Sequence, residues 1–228
     1  MPVIVFASPK GGAGKTTSAL VLATQISRHS PVTVIDADPN RPIKNWAEGE
    51  NTPAGFHVIA DADEENILDY IEEAASKTPY VVVDLEGTAS KIVLLAVSQA
   101  DLVIIPMQPS QLDADQASRA LRVVRQQEKM SRRVVPYGVL FTRTNNAVRS
   151  RTLRHIAQTL TDSGIRVFRS ELNEREAFRA MFAFGEPLEK LDPAEVSNVP
   201  KAIENAEWFA EEVAEMLREA STVGDENG

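Results

Sequence analysis

Short apolar segments rich in β-branched residues recur along the whole 228-residue chain and alternate with segments of helical spacing. Because these apolar runs are nearly continuous, they predict strands that are buried on both faces, as in a parallel sheet. The predicted strands are 3–7, 32–36, 56–60, 80–84, 102–106, 137–142 and 165–168, and the predicted helices include 16–28, 64–76, 113–129 and 151–162. We therefore predict an α/β fold, a doubly wound and mostly parallel sheet with helices on both faces.

The chain has the length of one ordinary α/β domain, which we expect to span residues 1–220. The last predicted helix, 199–220, is followed by a polar tail, 221–228, that we expect to be frayed. The sequence has no cysteine, which excludes disulfides, thiolate metal sites and cysteine nucleophiles. A glycine-rich turn begins at residue 11 and no apolar run is long enough to span a bilayer, so we expect a cytoplasmic protein.

The first predicted strand leads into "SPKGGAGKTT", a glycine-rich turn that opens a helix. This context identifies a variant of the phosphate-binding pattern G-x-x-x-x-G-K-[ST], with Pro9 at the first glycine position. Glycines let backbone N–H groups approach phosphate oxygens closely. We predict that Lys15 contacts the β and γ phosphates and that the Thr16 hydroxyl binds magnesium. The predicted nucleotide loop comprises Lys10, Gly11, Gly12, Ala13, Gly14, Lys15, Thr16 and Thr17.

Two other predicted strands end in carboxylates. The second leads into "DADPN", which contains Asp36 and Asp38, and the fourth ends at Asp84 in "VVVDLEG". A carboxylate at the carboxyl end of such a strand can hold magnesium through water, so we predict this role for Asp84, with Asp36 as an alternative ligand. Glu86 is either a second carboxylate near the metal or a solvated turn residue, and we favour the solvated turn residue.

The segment "KGGAGKTT" resembles the deviant Walker A box of the ParA/MinD superfamily of ATPases, whose mark is a second lysine at the start of the loop, here Lys10. "VTVIDADPNRP" and "DLVIIPMQPSQLD" resemble further segments of that superfamily, the latter being typical of small plasmid partition ATPases. The resemblance implies an ATP-dependent homodimer in which Lys10 reaches the nucleotide of the neighbouring subunit. It also implies that Asp38 orients or activates the attacking water. The predicted catalytic residues are therefore Lys10, Lys15 and Asp38, and the predicted ligands are ATP and Mg²⁺.

The charge distribution is uneven, because the whole chain has a net charge of −9 whereas residues 119–179 contain fourteen Lys or Arg and five Asp or Glu. The resemblance implies that the ATP-bound dimer binds DNA without sequence preference through basic residues of this kind. Arg151 and Arg154 are predicted to share one helix face, and Arg175 and Arg179 another. The predicted DNA contacts are Arg149, Arg151, Arg154, Arg175 and Arg179; the alternative is a solvated charged surface.

We therefore predict a DNA partition ATPase with weak basal turnover, stimulated by a ParB-like centromere-binding protein or a cargo adaptor, and nucleoid-associated in its ATP state. The last predicted helix carries many glutamates, which an anionic membrane would repel, so no membrane partner is expected. "NEREAFRAMFAFGEPLEKLD" resembles plasmid-borne relatives that assist conjugative DNA transfer. The alternative is thus an ATPase that positions a protein cargo or a conjugative-transfer complex; a metabolic ATP-dependent ligase is a third class. Within that segment Phe178, Met181, Phe182 and Phe184 form either a partner surface or the packed face of an amphipathic helix, and we favour the packed helix.

Overall fold

The computed structural model describes residues 1–8, 11–86, 91–131, 133–145 and 151–225, apart from the side chains of 111–117, 119, 131 and 223–225. The strands within these ranges are β1 (Val3–Phe6), β2 (Val32–Ala37), β3 (Phe56–Ala60), β4 (Tyr80–Leu85), β5 (Leu102–Met107), β6 (Tyr137–Thr144) and β7 (Leu172–Asn173). They form one parallel sheet in the order β3-β2-β4-β1-β5-β6-β7. The prediction of a parallel α/β sheet is confirmed.

Helices cover both faces of the sheet. They are α1 (Lys15–Ser27), α2 (Pro42–Trp46), α3 (Ile67–Lys77), α4 (Lys91–Gln99), α5 (Gln111–Ser131), α6 (Arg151–Asp162), α7 (Glu176–Phe184) and α8 (Val199–Asp225), with a 3-10 turn at Leu188–Lys190. Helices α1, α2, α7 and α8 contribute to the core on one face, and α3 to α6 to the core on the other. Alternate residues of one strand enter both cores: Ile4 and Phe6 the first, Val3 and Val5 the second. This two-sided burial explains why the strands read as continuous apolar runs.

The predicted strand at 165–168 is wrong. That segment makes only an isolated bridge between Val139 and Val167, and the seventh strand forms later in the chain. Pairing ends on both sides of this bridge: the backbone N–H of Ile165 donates to Leu160 O of α6, and the backbone N–H groups of Arg169 and Ser170 donate to the two carboxylate oxygens of Glu212 on α8, each at 2.8 Å. These N–H groups therefore cannot take part in a continuous strand ladder.

The two C-terminal helices pack largely as the sequence predicts. Phe178 and Met181 of α7 are buried and Phe182 packs against the core, whereas Phe184 is exposed. Helix α8 extends to residue 225 rather than 220, and the Ser221 and Thr222 hydroxyls donate to backbone carbonyls of the preceding turn. No helix among the described residues is both long enough and apolar enough to cross a bilayer.

The strand order places β1 between β4 and β5, where the direction of chain progression across the sheet reverses. In such folds ligands bind at the carboxyl ends of the strands at this switch point. The glycine loop follows β1 at that edge, and Asp36 of β2 lies in register with Asp84 of β4. The fold thus brings the predicted loop and carboxylates to one edge of the sheet.

The Glu212 contacts predict a large stability effect for Glu212→Ala. The change leaves the backbone N–H groups of Arg169 and Ser170 without an acceptor, so we expect the free energy of unfolding to fall by about 3 kcal/mol. Urea denaturation followed by circular dichroism measures it. The neighbouring Glu211 is exposed, and Glu211→Ala is expected to change stability by less than about 0.5 kcal/mol. Equal losses in the two variants would contradict the assignment.

Candidate nucleotide-binding site

The described part of the glycine loop, residues 11–14, joins the sheet edge to α1. Gly12 and Gly14 have φ angles of 77° and 91°, in the left-handed region that favours glycine. A β-carbon on Gly14 would also lie only 3.2 Å from the Thr142 side chain. Both backbone conformation and space therefore require glycine at position 14. Lys10 lies outside the described residues, so its predicted role stays a prediction.

Lys15 is the first residue of α1 and its side chain is buried. Burial lowers the pKa of its ammonium group, while the carboxylates of Asp84, Asp38 and Glu86 act in the opposite direction. The ammonium therefore lies close to negative charge contributed by the ends of β2 and β4. A bound phosphate would add further negative charge at this buried cation.

Asp84 is fully buried, and neither of its carboxylate oxygens has a hydrogen-bond partner among the described residues. Burial raises its pKa to about 7. The Thr16 side chain and the Lys15 ammonium lie near enough to oppose this rise, but Thr16 does not complete a hydrogen bond to either oxygen. A buried carboxylate without donors, next to a threonine hydroxyl, fits a cation that would be held at this point.

Asp36 has a different environment from its neighbour Asp84. Its Oδ2 accepts the backbone N–H groups of Ile43 at 2.8 Å and Lys44 at 2.9 Å, and Oδ1 accepts that of Asp38 at 3.3 Å. Burial raises the pKa of Asp36, and these backbone donors oppose the rise. Asp36 therefore fixes the start of α2, and its role as an alternative metal ligand stays a prediction.

No group of three or more His, Asp or Glu side chains in the described part of the chain could hold a metal ion without other ligands. Mg²⁺ commonly binds to one or two carboxylates together with substrate phosphates and water. The residues present fit this kind of site, in which Thr16 and Asp84 would supply the protein ligands. The ion would thus depend on a bound nucleotide.

Asp38 follows β2 and is half-buried. Its Oδ1 accepts the backbone N–H of Asn40 at 2.8 Å and the side-chain amide of Asn40 at 3.0 Å, which fixes the orientation of the carboxylate. Glu86 is exposed, in agreement with the interpretation as a turn residue, although its charge still acts on Lys15.

A cavity of about 240 Å³ adjoins the glycine loop. It lies between α1, the carboxyl ends of β6 and β7, and the start of α7, and it was not predicted from the sequence. Its lining includes Gly14, Thr17, Ser18, Thr142, Arg143, Asn173, Arg175 and Phe178. The sequence signal was polar residues directly after the last strands, which is too common a pattern to identify a cavity.

Arg143 and Arg175 at this cavity both have unusual local structure. Arg143 has a φ of 52° at an irregularity in the pairing of β6 with β7. Arg175 is the N-cap of α7 and has extended backbone, so the prediction that it shares a helix face with Arg179 is wrong. Its Nη2 donates to Asn173 Oδ1 at 3.2 Å, while its buried Nε has no partner among the described residues.

The basic residues of the C-terminal half divide into two groups. In the first, acidic residues neutralise the guanidinium: Arg179 pairs with Glu174 and Glu176, and Arg166 and Arg169 pair with glutamates of α8. In the second, Arg151 and Arg154 of α6 are exposed and have no ion-pair partner among the described residues. Arg149 lies outside the described residues.

Helix α5 adds basic residues that the sequence analysis missed. Arg122, Arg125 and Lys129 are exposed, follow one another at spacings of three and four, and have no ion-pair partner in the described ranges. That spacing alone would have identified the stripe. Because α5 and α6 pack on the same face of the sheet, these three residues and Arg151 and Arg154 are on the same side of the molecule. We call these five residues the α5–α6 basic face.

The fold and the loop define a P-loop nucleotide-binding protein of the ParA/MinD class. The model of the VirC1 protein family matches residues 1–218, and the chain belongs to that family. The chain is 40% identical to protein ParA of Rhizobium radiobacter over 221 residues, covering 96% of this chain and 99% of that protein. It is 32% identical to maintenance of carboxysome distribution protein A of Gloeobacter kilaueensis, over 78% of this chain and 82% of that one. The structure of an ATP complex of a Cyanothece McdA variant is similar with a TM-score of 0.74 at 20% identity, covering 94% and 96% of the two chains. The ParA/MinD resemblance of the sequence is confirmed.

The raised pKa of Asp84 predicts how stability depends on pH without nucleotide or metal. Between the ordinary value of 3.8 and about 7 the folded protein keeps a proton that the unfolded chain has lost, so the free energy of unfolding falls as pH rises through this window. Above it the buried charge costs up to about 4 kcal/mol. Asp84→Asn stays neutral, so we expect it to be more stable than wild type at pH 8, by less at pH 5. Urea denaturation in EDTA measures the free energy of unfolding of both proteins at both pH values. If this free energy changed with pH in the same way in wild type and in Asp84→Asn, the prediction would be refuted.

Proposed function

We propose that this protein is a partition-type ATPase whose ATP-bound dimer binds DNA without sequence preference and is released when a partner stimulates hydrolysis. Membership of the VirC1 family and identity to a ParA protein support the ATPase class. The observation that carries the DNA proposal is the division of basic residues, because the five on the α5–α6 basic face are exposed and have no ion-pair partner among the described residues.

In the proposed cycle, the glycine loop binds ATP with Lys15 against the β and γ phosphates. Thr16, and Asp84 through water, would hold Mg²⁺, which would supply further positive charge beside those phosphates. Lys10 of one subunit contacts the nucleotide of the other, so that the site is complete only in the dimer. The Asp38 carboxylate, oriented by Asn40, orients the attacking water. Slow basal turnover keeps the dimer on DNA until a ParB-like or cargo-adaptor protein accelerates hydrolysis.

The nucleoside end of ATP is assigned to the cavity beside the loop. The cavity is lined by Gly14 and Thr17 of the loop and α1, and by Asn173, Arg175 and Phe178 beyond β7. Arg175 therefore has an environment suited to nucleotide contact, in addition to its predicted contact with DNA. We expect Arg175→Ala to weaken ATP binding about tenfold and to leave inorganic tripolyphosphate binding unchanged, since only ATP has a nucleoside. Isothermal titration calorimetry distinguishes the two; equal losses for both ligands would contradict this assignment.

The proposal requires DNA association to depend on ATP, because the ATP-bound dimer is the binding species. It also requires a dependence on salt, because the contacts are electrostatic. We expect co-sedimentation of wild type with linear duplex DNA in ATP, and much less in ADP or without nucleotide. Lys10→Ala is expected to lose both the ATP dependence and ATP-induced dimerisation, measured by analytical ultracentrifugation. Binding that is equal in all nucleotide states, or insensitive to salt, would overturn the proposal.

The α5–α6 basic face has a matched control in Arg166. The double variant Arg151→Ala, Arg154→Ala is expected to weaken DNA binding about tenfold and to reduce the slope of log affinity against log salt by about two per subunit. Arg166 is already paired with Glu219, so Arg166→Ala should stay within about twofold of wild type. An equal loss in both would show that net charge alone, and not this face, determines binding.

A second function is favoured by one comparison. The chain is 32% identical to a protein named for carboxysome distribution, which favours the alternative of an ATPase that positions a protein cargo. This function would show ATP-dependent dimerisation together with no DNA binding in any nucleotide state.

A further inference from the structure

Three consecutive backbone carbonyls of the glycine loop are each bound from the body of the protein. Gln108, directly after β5, donates its side-chain amide to Gly12 O at 3.0 Å, and the Thr142 hydroxyl of β6 donates to Ala13 O at 2.8 Å. Gly14 O accepts the backbone N–H and the hydroxyl of Ser18, at 2.9 and 2.8 Å. Each carbonyl is therefore fixed on the protein side of the loop.

The planar trans peptide bond turns this into a statement about N–H groups. In each peptide unit the C=O and the following N–H point in opposite directions. With the carbonyls of residues 12, 13 and 14 held against the protein, the N–H groups of Ala13, Gly14 and Lys15 point away from those partners. A β-carbon on Gly11 or Gly12 would meet no atom of the described residues within 4 Å. Each of these N–H groups therefore points away from the residue that holds the carbonyl of its peptide unit, which is the orientation that an anion-binding nest uses.

We infer that Gln108 and Thr142 are positioning residues for the phosphate site: they hold the carbonyls of Gly12 and Ala13 so that the next two N–H groups face the phosphates. Their hydrogen bonds resist rotation of these peptide units, which glycine-rich backbone otherwise permits at little cost. The inference rests on the proposed function, because it takes the loop's ligand to be the phosphates of a nucleotide. Ser18 holds the carbonyl of Gly14 in the same way, but this contact belongs to the regular start of a helix and is therefore not specific to a phosphate site.

The geometry makes Thr142 the more constrained of the two residues. It is buried, and its Cβ and Cγ2 would both lie 3.2 Å from a β-carbon placed on Gly14. A serine at 142 keeps the hydroxyl, whereas a valine keeps the shape and removes the donor. The Ala13 carbonyl then loses its partner, and its peptide unit becomes free to rotate.

The test is calorimetric titration of the protein, in the presence of Mg²⁺, with inorganic tripolyphosphate and, separately, with ATP. We expect Thr142→Val to weaken both ligands by a similar factor, about five- to tenfold, and Thr142→Ser to stay within about twofold of wild type. Circular dichroism shows whether the variants are folded. In folded protein, a general loss of stability would not lower the affinities for tripolyphosphate and ATP by the same factor, and serine would not restore them. Thr142→Val with wild-type affinity for tripolyphosphate would overturn the inference.

Gln108→Met provides the same test at a partly exposed position, and Gln126→Met on the surface of α5 is its control. Gln108→Met is expected to weaken tripolyphosphate binding several-fold and Gln126→Met to leave it unchanged. Equal affinities of these two variants would also refute the inference. If wild type bound neither ATP nor tripolyphosphate, the proposed function itself would fail, which is a different result from normal wild-type binding and unaffected variants.

Discussion

The site depends on a buried ammonium group that is surrounded by carboxylates from strand ends. Lys15 is tolerated in the interior because Asp84 and Asp38 place negative charge nearby, and Asp84 is itself buried without a hydrogen-bond donor among the described residues. These charges can meet only if β2 and β4 are parallel neighbours in register and if β1 delivers α1 beside them. An antiparallel β2 or β4 would move its carboxylate to the opposite edge of the sheet. The doubly wound strand order is therefore a condition of the chemistry as well as of the packing.

The sequence predicts those parts of the fold and site that depend on neighbouring residues. Strands buried on both faces are continuous apolar runs, and a glycine-rich turn with Lys15 at the start of a helix is a local pattern. Thr142 and Gln108 could not be found in this way, because they contact the loop from 129 and 96 residues further along the chain. The misplaced seventh strand has the same origin, since Glu212 on a distant helix takes the backbone donors that a strand would need.

The net charge of a sequence segment likewise does not identify the basic residues that are available to a partner. Residues 119–179 do carry an excess of basic residues, but a count does not show which guanidinium groups have partners. Ion pairs to α7 and α8 neutralise Arg166, Arg169 and Arg179, whereas the exposed basic residues of α5 and α6 keep their charge available. Exposed pairs of this kind contribute little to stability, so their main effect is on the surface potential. Paired and exposed basic residues can be told apart only when the positions of the helices on the two faces of the sheet are known.

An excess of exposed basic residues on the α5–α6 basic face, on the opposite side of the sheet from glutamate-rich α8, would give the molecule an electric dipole. A protein with a net charge of −9 is repelled, on average, by another polyanion. A dipole also experiences a torque in that field, so the molecule rotates before contact until its positive side leads. The orientation of the molecule would then be selected during its approach. Molecules that approach with the acidic side forward would be repelled before any contact forms.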